Sequence, residues 1–267
     1  MSRLQSCFAN LKKIGKKALI PYIVGGDPQK GSTVSQMHGL VEAGADVIEL
    51  GVPFSDPMAE GPVIQLAHER ALEHHTSLTD ILAMVAEFRS KDSDTPVVLM
   101  GYLNPVEVMG YNLFAERAEK SGVDAILTVD LPPEEAQDLK AALADKGIDS
   151  IFLIAPTTTE ERIKKICDAA AGYLYYVSLK GVTGASNSDV TEVAEKLALI
   201  RQHTSLPVSV GFGIKDAASA KAIGASADGV VVGSALVNAY FESAQKPDWQ
   251  AAEPPALIQS IRAALDE

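Results

Sequence analysis

A chain of 267 residues, 47% of them apolar, has ample material for a core, and one (β/α) barrel domain commonly takes this length. Lys+Arg 23 against Asp+Glu 35 leaves a net charge of −12, which argues against nucleic acid or an anionic membrane as the main partner, since both call for a basic patch. The two cysteines, Cys7 and Cys167, lie far apart, so neither a disulfide framework nor a cysteine-based zinc site is expected, and a reducing cytoplasm is the natural compartment.

The first stretch, Met1 to Lys17, carries five basic residues and places Leu4, Phe8, Leu11 and Ile14 at helical spacing. It reads as an amphipathic helix and not as a signal peptide. No run approaches the roughly 18 apolar residues of a membrane span.

Eight short β-branched runs follow: Leu19–Val24, Asp46–Leu50, Pro96–Met100, Ala125–Val129, Ser150–Ile154, Leu174–Val177, Pro207–Val210 and Gly229–Val232. Stretches such as Glu135–Lys146, Glu160–Ala170 and Val190–Gln202 between them read as helices. This alternation predicts a parallel sheet covered on both faces. An open doubly wound sheet is the alternative, but eight units at this length favour a closed (β/α)8 TIM barrel. No linker or low-complexity tract splits the chain, so residues 1–267 are read as one barrel domain with an extra N-terminal helix.

One interval stands out. The second and third strand starts are about 50 residues apart, and the excess holds the proline-rich stretch Pro53–Pro62 and helical segments near Val63–Glu73 and Ser77–Ser90. Long loops in compact domains are usually functional or disordered, and this one follows the carboxyl end of a strand, where barrel active sites lie.

Glu49 is an acid near the end of an otherwise apolar strand. It shares a face with Val47, so its carboxylate points either into the barrel mouth or out toward a helix. In the mouth its pKa would rise, which suits general acid/base work. The following loop supplies Asp56 and Glu60. Glycine pairs at Gly181/Gly184 and Gly211/Gly213 follow strands six and seven, and Gly233-Ser234 follows strand eight, directly before the helical stretch Ala235–Phe241. Together they favour a phosphate site, where backbone N–H groups and a helix N-terminus meet an anion. Tyr173 and Tyr175 share a face, and one of them is expected to reach the mouth. The histidines show no metal spacing. His38, His68 and His203 read as solvated helix residues, and the adjacent His74 and His75 point different ways.

With these residues in place the chain resembles the tryptophan synthase α-subunit family along essentially its whole length. The most specific match is Glu49-Leu50-Gly51-Val52-Pro53-Phe54-Ser55-Asp56-Pro57. Others are Gly101-Tyr102-Leu103-Asn104-Pro105, Asp130-Leu131-Pro132-Pro133-Glu134-Glu135, Gly181-Val182-Thr183-Gly184 and Gly211-Phe212-Gly213-Ile214. The resemblance implies a lyase that cleaves indole-3-glycerol phosphate to indole and glyceraldehyde 3-phosphate. It implies no cofactor in this chain, and a β-subunit partner that carries pyridoxal phosphate in an αββα assembly.

Carried over by position, Glu49 matches the acid/base carboxylate, and Glu60 stands where the family pattern has aspartate at the indole nitrogen. The extra methylene predicts a slower enzyme. Tyr22, Tyr175, Thr183 and Phe212 match the indole pocket, and Gly184, Gly213, Gly233 and Ser234 the phosphate cradle. Leu179–Asp189 matches a mobile lid. Asp56, Asn104 and Asp130–Glu135 fall where the family contacts its β subunit or relays closure. Two other readings stand beside this one: a Schiff-base aldolase using Lys180, and a mainly regulatory subunit with weak catalysis because of Glu60.

Overall fold

Strand β1 (Ala18–Val24) sets the pattern for the barrel. All seven of its residues are buried, but on two different sides. Ile20, Tyr22 and Val24 pack with the barrel interior, while Leu19 and Ile23 pack outward against helices. Period-2 side-chain geometry produces this division in every strand.

The computed structural model describes residues 2–178, 187–211 and 213–267, with the side chains of 187–189 left aside. After helix α1 (Arg3–Lys13) and β1 come α2 (Thr33–Glu42), β2 (Ile48–Gly51), α3 (Pro62–Glu73), α4 (Leu78–Arg89) and β3 (Val97–Gly101). Then follow α5 (Leu103–Met109), α6 (Tyr111–Ser121), β4 (Ala125–Thr128), α7 (Gln137–Ala144), β5 (Asp149–Ile154) and α8 (Glu160–Ala169). The chain continues through β6 (Leu174–Val177), α9 (Asn187–Ile200), β7 (Val208–Gly211), α10 (Ala217–Gly224), β8 (Gly229–Val232), α11 (Ser234–Ser243) and α12 (Ala256–Asp266). The strands pair in chain order, all parallel, and β8 closes on β1. This is a (β/α)8 TIM barrel.

The expected strands match the observed ones to within about two residues, and the offsets have causes. Strand β2 begins at Ile48 because Asp46 turns its carboxylate to other work. It accepts from the Leu19 amide at 2.8 Å and from Arg262 at 2.9 Å. Pro96 and Pro207 have no N–H to donate, and β3 and β7 begin one residue later.

Helix α1 closes the amino end of the barrel. Ser2 and Gln5 form its capping box, and Leu4, Phe8 and Leu11 are buried with the interior cluster. The Phe8 ring lies 5.5 Å from that of Tyr173, so the plug touches the barrel lining. At the other end the register sets Tyr22 beside Glu49, and Glu49 beside Val98. An acid thus stands among apolar groups inside the barrel.

Candidate functional site

In β2, Ile48 and Leu50 pack outward, which leaves Glu49 on the inner face. Its side chain is 0% exposed. The Tyr173 hydroxyl donates to Glu49 Oε1, while Oε2 is buried without a hydrogen-bond partner among the described residues. Burial pushes the Glu49 carboxyl up to about 8, against the pull of the Tyr173 hydrogen bond and with help from the charge of Glu60. At neutral pH Glu49 therefore holds a proton in a dry place. Of the two directions its strand allowed, the inward one is realised.

Glu60 comes from the loop between β2 and α3, which is pinned along its length. The Val52 amide donates to the Met100 carbonyl at 2.8 Å, and the Ala59 amide donates to the Tyr102 hydroxyl at 2.9 Å. The Phe54 ring stacks on Tyr102 with centroids 5.0 Å apart. On either side of Glu60 itself, its amide donates to the Pro57 carbonyl at 3.0 Å and its carbonyl accepts from the Gln65 side chain at 2.9 Å. Burial pushes its carboxyl up to about 7.

Glu60 opens on a cavity of about 310 Å³ at the carboxyl ends of the strands. Tyr22 and Tyr175 line one side, and Gly213, Gly233 and Ser234 line another. Two strand-end glycines make room for the tyrosines. A methyl group on Gly51 would strike the Tyr22 hydroxyl, and one on Gly211 would strike the Tyr175 hydroxyl. Gly213 has φ +81°, a conformation that favours glycine. Ser234 opens α11 behind Gly233, and helix geometry leaves its first amides free to face the cavity. The cavity thus brings aromatic rings and a carboxyl group together with glycine backbone and the start of a helix.

The structure brings together Glu60, Tyr22, Tyr175, Gly213, Gly233 and Ser234, with Glu49 in register next to Tyr22. Thr183, Gly184 and Phe212 lie outside the described residues, as do Lys180 and all but the last residues of Leu179–Asp189. Asp56 is exposed and accepts from Ser55 at 2.6 Å. Asp130 caps α5 by accepting from the Leu103 amide at 2.8 Å, and Asn104 is exposed. Both Tyr173 and Tyr175 point into the barrel, where one was expected to reach the mouth.

Two sequence readings are overturned. His38 is not a solvated helix residue, since its ring lies 4.7 Å from that of Phe88 and its Nε2 is buried. Neither is His68, which is 1% exposed. Its Nδ1 accepts from the Phe54 amide at 3.0 Å, and its Nε2 lies 3.3 Å from the Tyr22 hydroxyl. The signal lay in the spacing, because Ile64, His68 and Ala71 share the buried stripe of α3. Tyr102, which anchors the loop, carried no comparable signal.

A larger cavity, about 570 Å³, lies at the opposite end of the barrel beside α1. Its cations are mostly engaged: Lys16 with Asp266, Lys17 with the Ala227 carbonyl, and Arg201 with Asp228. At this end the carboxyls of Asp124 and Asp228 are paired with arginines, whereas Glu49 and Glu60 have no cation partner among the described residues. Among the described residues no group of three His, Cys, Asp or Glu side chains is placed to hold a metal ion.

Residues 8–265 match the family model described as tryptophan synthase alpha chain. The tryptophan synthase alpha chain of Thioalkalivibrio sulfidiphilus is 60% identical over 266 residues, covering 100% of both chains. That of Marinobacter nauticus is 58% identical, covering 100% of this chain and 98% of its own. Among solved structures, the tryptophan synthase alpha subunit of Legionella pneumophila superposes with a TM-score of 0.93 at 47% identity, over 100% of this chain and 99% of the other.

Proposed function

Because the chain belongs to the tryptophan synthase alpha chain family, lyases that cleave indole-3-glycerol phosphate to indole and glyceraldehyde 3-phosphate, we propose that Glu49 and Glu60 divide this chemistry between them. The observation that carries the assignment is the pairing of a fully buried, proton-holding Glu49 with a second carboxyl on the neighbouring cavity wall. Glu49 delivers its proton to indole C3, and the ring nitrogen becomes cationic. The Glu60 carboxylate stabilises that charge, as a preorganised group can in a low-dielectric site. Glu49, now a carboxylate, takes the proton of the glycerol hydroxyl next to C3. The C–C bond breaks, its electron pair returns to the indole, and the aldehyde forms. Glu49 ends as it began.

Tyr22 and Tyr175 take the flat indole ring, together with Thr183 and Phe212. Gly213, Gly233, Ser234 and Gly184 take the phosphate, mainly through main-chain amides, with the positive end of α11 behind them. The segment 179–189 serves as the lid. The wider setting is assigned with the same reading. Residues 1–267 form one domain in the cytoplasm, without a cofactor of its own. Its partner is a β subunit holding pyridoxal phosphate in an αββα tetramer. Asp56, Asn104 and Asp130–Glu135 face that partner.

The test is indole release from indole-3-glycerol phosphate by the chain alone and with a β subunit. Glu49→Gln keeps shape and removes the titrating proton, so release should fall by at least about 10²-fold. Near-parental turnover in folded Glu49→Gln would sink the assignment.

A further inference from the structure

The Phe54–His68–Tyr22 contacts have a direction. The Phe54 backbone amide donates to His68 Nδ1, so that nitrogen carries no proton. A neutral imidazole then bears its proton on Nε2, the nitrogen 3.3 Å from the Tyr22 hydroxyl. His68 is thereby the donor and the Tyr22 oxygen the acceptor. Burial keeps the ring in this neutral form by lowering the His68 pKa to about 4. The hydrogen of the Tyr22 hydroxyl must point elsewhere, and no described residue takes it up in a hydrogen bond. The acids that bear on that hydroxyl are Glu60, foremost, and Glu49. Tyr22 also lines the same cavity as Glu60, and Gly51 leaves the space for its hydroxyl.

We propose that His68 is a positioning residue, which fixes the Tyr22 hydroxyl as a donor into the cavity that Glu60 lines and so presents an O–H to that acid during the reaction. This rests on the catalytic reading of Glu60 given above. The arrangement has a clear division of labour. A main-chain amide of the catalytic loop sets the tautomer, the imidazole sets the phenol, and the phenol addresses the acid. The same ring therefore ties the position of the loop to the orientation of the site.

Two substitutions separate this role from simple support of the loop. His68→Asn puts an amide oxygen near the position of Nδ1, keeping the Phe54 contact and losing the donor to Tyr22. His68→Gln puts an amide N–H near the position of Nε2, keeping the donor and losing the Phe54 contact. The experiment measures kcat and KM for indole release, with thermal stability recorded alongside, for His68→Asn, His68→Gln, Tyr22→Phe and the double variant His68→Asn/Tyr22→Phe. The expected result is a kcat about 10-fold lower in His68→Asn and Tyr22→Phe with KM within about 2-fold, as for an interaction made mainly in the transition state. The double variant should be no slower than either single one, and His68→Gln should keep at least half of the parental kcat. Parental kcat in His68→Asn, or a His68→Gln as slow as or slower than His68→Asn, overturns the proposal. A parent chain that releases no indole, alone or with a β subunit, would instead overturn the catalytic reading beneath it.

Discussion

At the scale of the residue, the proton proposed for Glu49's catalytic role bears on stability with a definite sign. Its carboxyl ordinarily titrates near 4.5 and in the fold near 8, chiefly because it is buried. Between those values the folded chain keeps a proton that the unfolded chain has released, so stability falls as pH rises through that window. Glu49→Gln removes the titration. Its melting temperature should match the parent's near pH 4.5 and exceed it at pH 8, a gain of the order of a few kcal/mol. A parent that is the more stable of the two at pH 8 would mean Glu49 is ionised and well solvated. Glu60 poses the other residue-scale question. The sequence alone, comparing Glu60 with the family aspartate, favours a faster enzyme for Glu60→Asp. The pinned backbone argues for the opposite sign, since the amide and carbonyl of residue 60 are both held and cannot advance to offset a shorter arm. An error of about 1 Å can cost on the order of 10²-fold. Glu60→Asp is therefore expected to release indole at least about 10-fold more slowly, and a faster variant would show the native glutamate to be misplaced. Glu49 and Glu60 were legible as acids at a strand end and in a long loop. The direction of Glu49 was not, because period 2 fixes which residues share a face and not which face lies inward.

At the scale of the element, the strands were legible almost to the residue because a buried parallel barrel needs continuous apolar runs, and Val208–Gly211 or Gly229–Val232 can be little else. Helix α3 was legible as a helix, but its buried histidine was not, since a polar residue on an apolar stripe is recognised only when its partners, here Phe54 and Tyr22, are known. The glycines at strand ends were read as phosphate contacts, and Gly211 shows a second reason for them. It leaves space at the end of β7 for the hydroxyl of Tyr175 from β6, its neighbour in the sheet. Gly211→Ala should push that ring out of place, costing about 1–3 kcal/mol as overpacking does and weakening the binding of indole or a propanol phosphate analogue by about 10-fold or more. The new methyl would overlap ring carbons Cζ and Cε1 as well as the hydroxyl, so Tyr175→Phe relieves only part of the clash and Tyr175→Leu removes the atoms involved. The loss of thermal stability caused by Gly211→Ala should accordingly be smaller in a Tyr175→Leu background than in the parent. If the loss is the same in both backgrounds, the glycine does not serve the tyrosine.

At the scale of the whole molecule the barrel has two unlike ends. Helix α1 plugs one, and through Phe8 and Tyr173 its packing reaches the carboxyl of Glu49. The other end carries the cavity, and the connections there hold the two most exposed large apolar side chains among the described residues, Met58 at 85% and Val108 at 80%. They belong to neighbouring connections, after β2 and after β3, and so share the face on which the site opens. Apolar groups held in water near a polar rim mark an interaction surface, and the family supplies the partner, a β subunit. Val108 is exposed on α5 and is not among the described residues that line the cavity, whereas Met58 shares the loop of Glu60, so Val108 is the cleaner probe. Val108→Glu places a charge where the partner would have to desolvate it. Its affinity for a β subunit, measured by calorimetry, should fall by at least about 10-fold, the effect of losing a central contact worth more than about 1.4 kcal/mol. Stimulation of indole release by the partner should decline at the same ratio of concentrations, while release by the chain alone stays within about 2-fold of the parent. Unchanged association would place the β subunit on another face of the barrel, and a fall in the unaided rate would show that α5 supports the mouth itself.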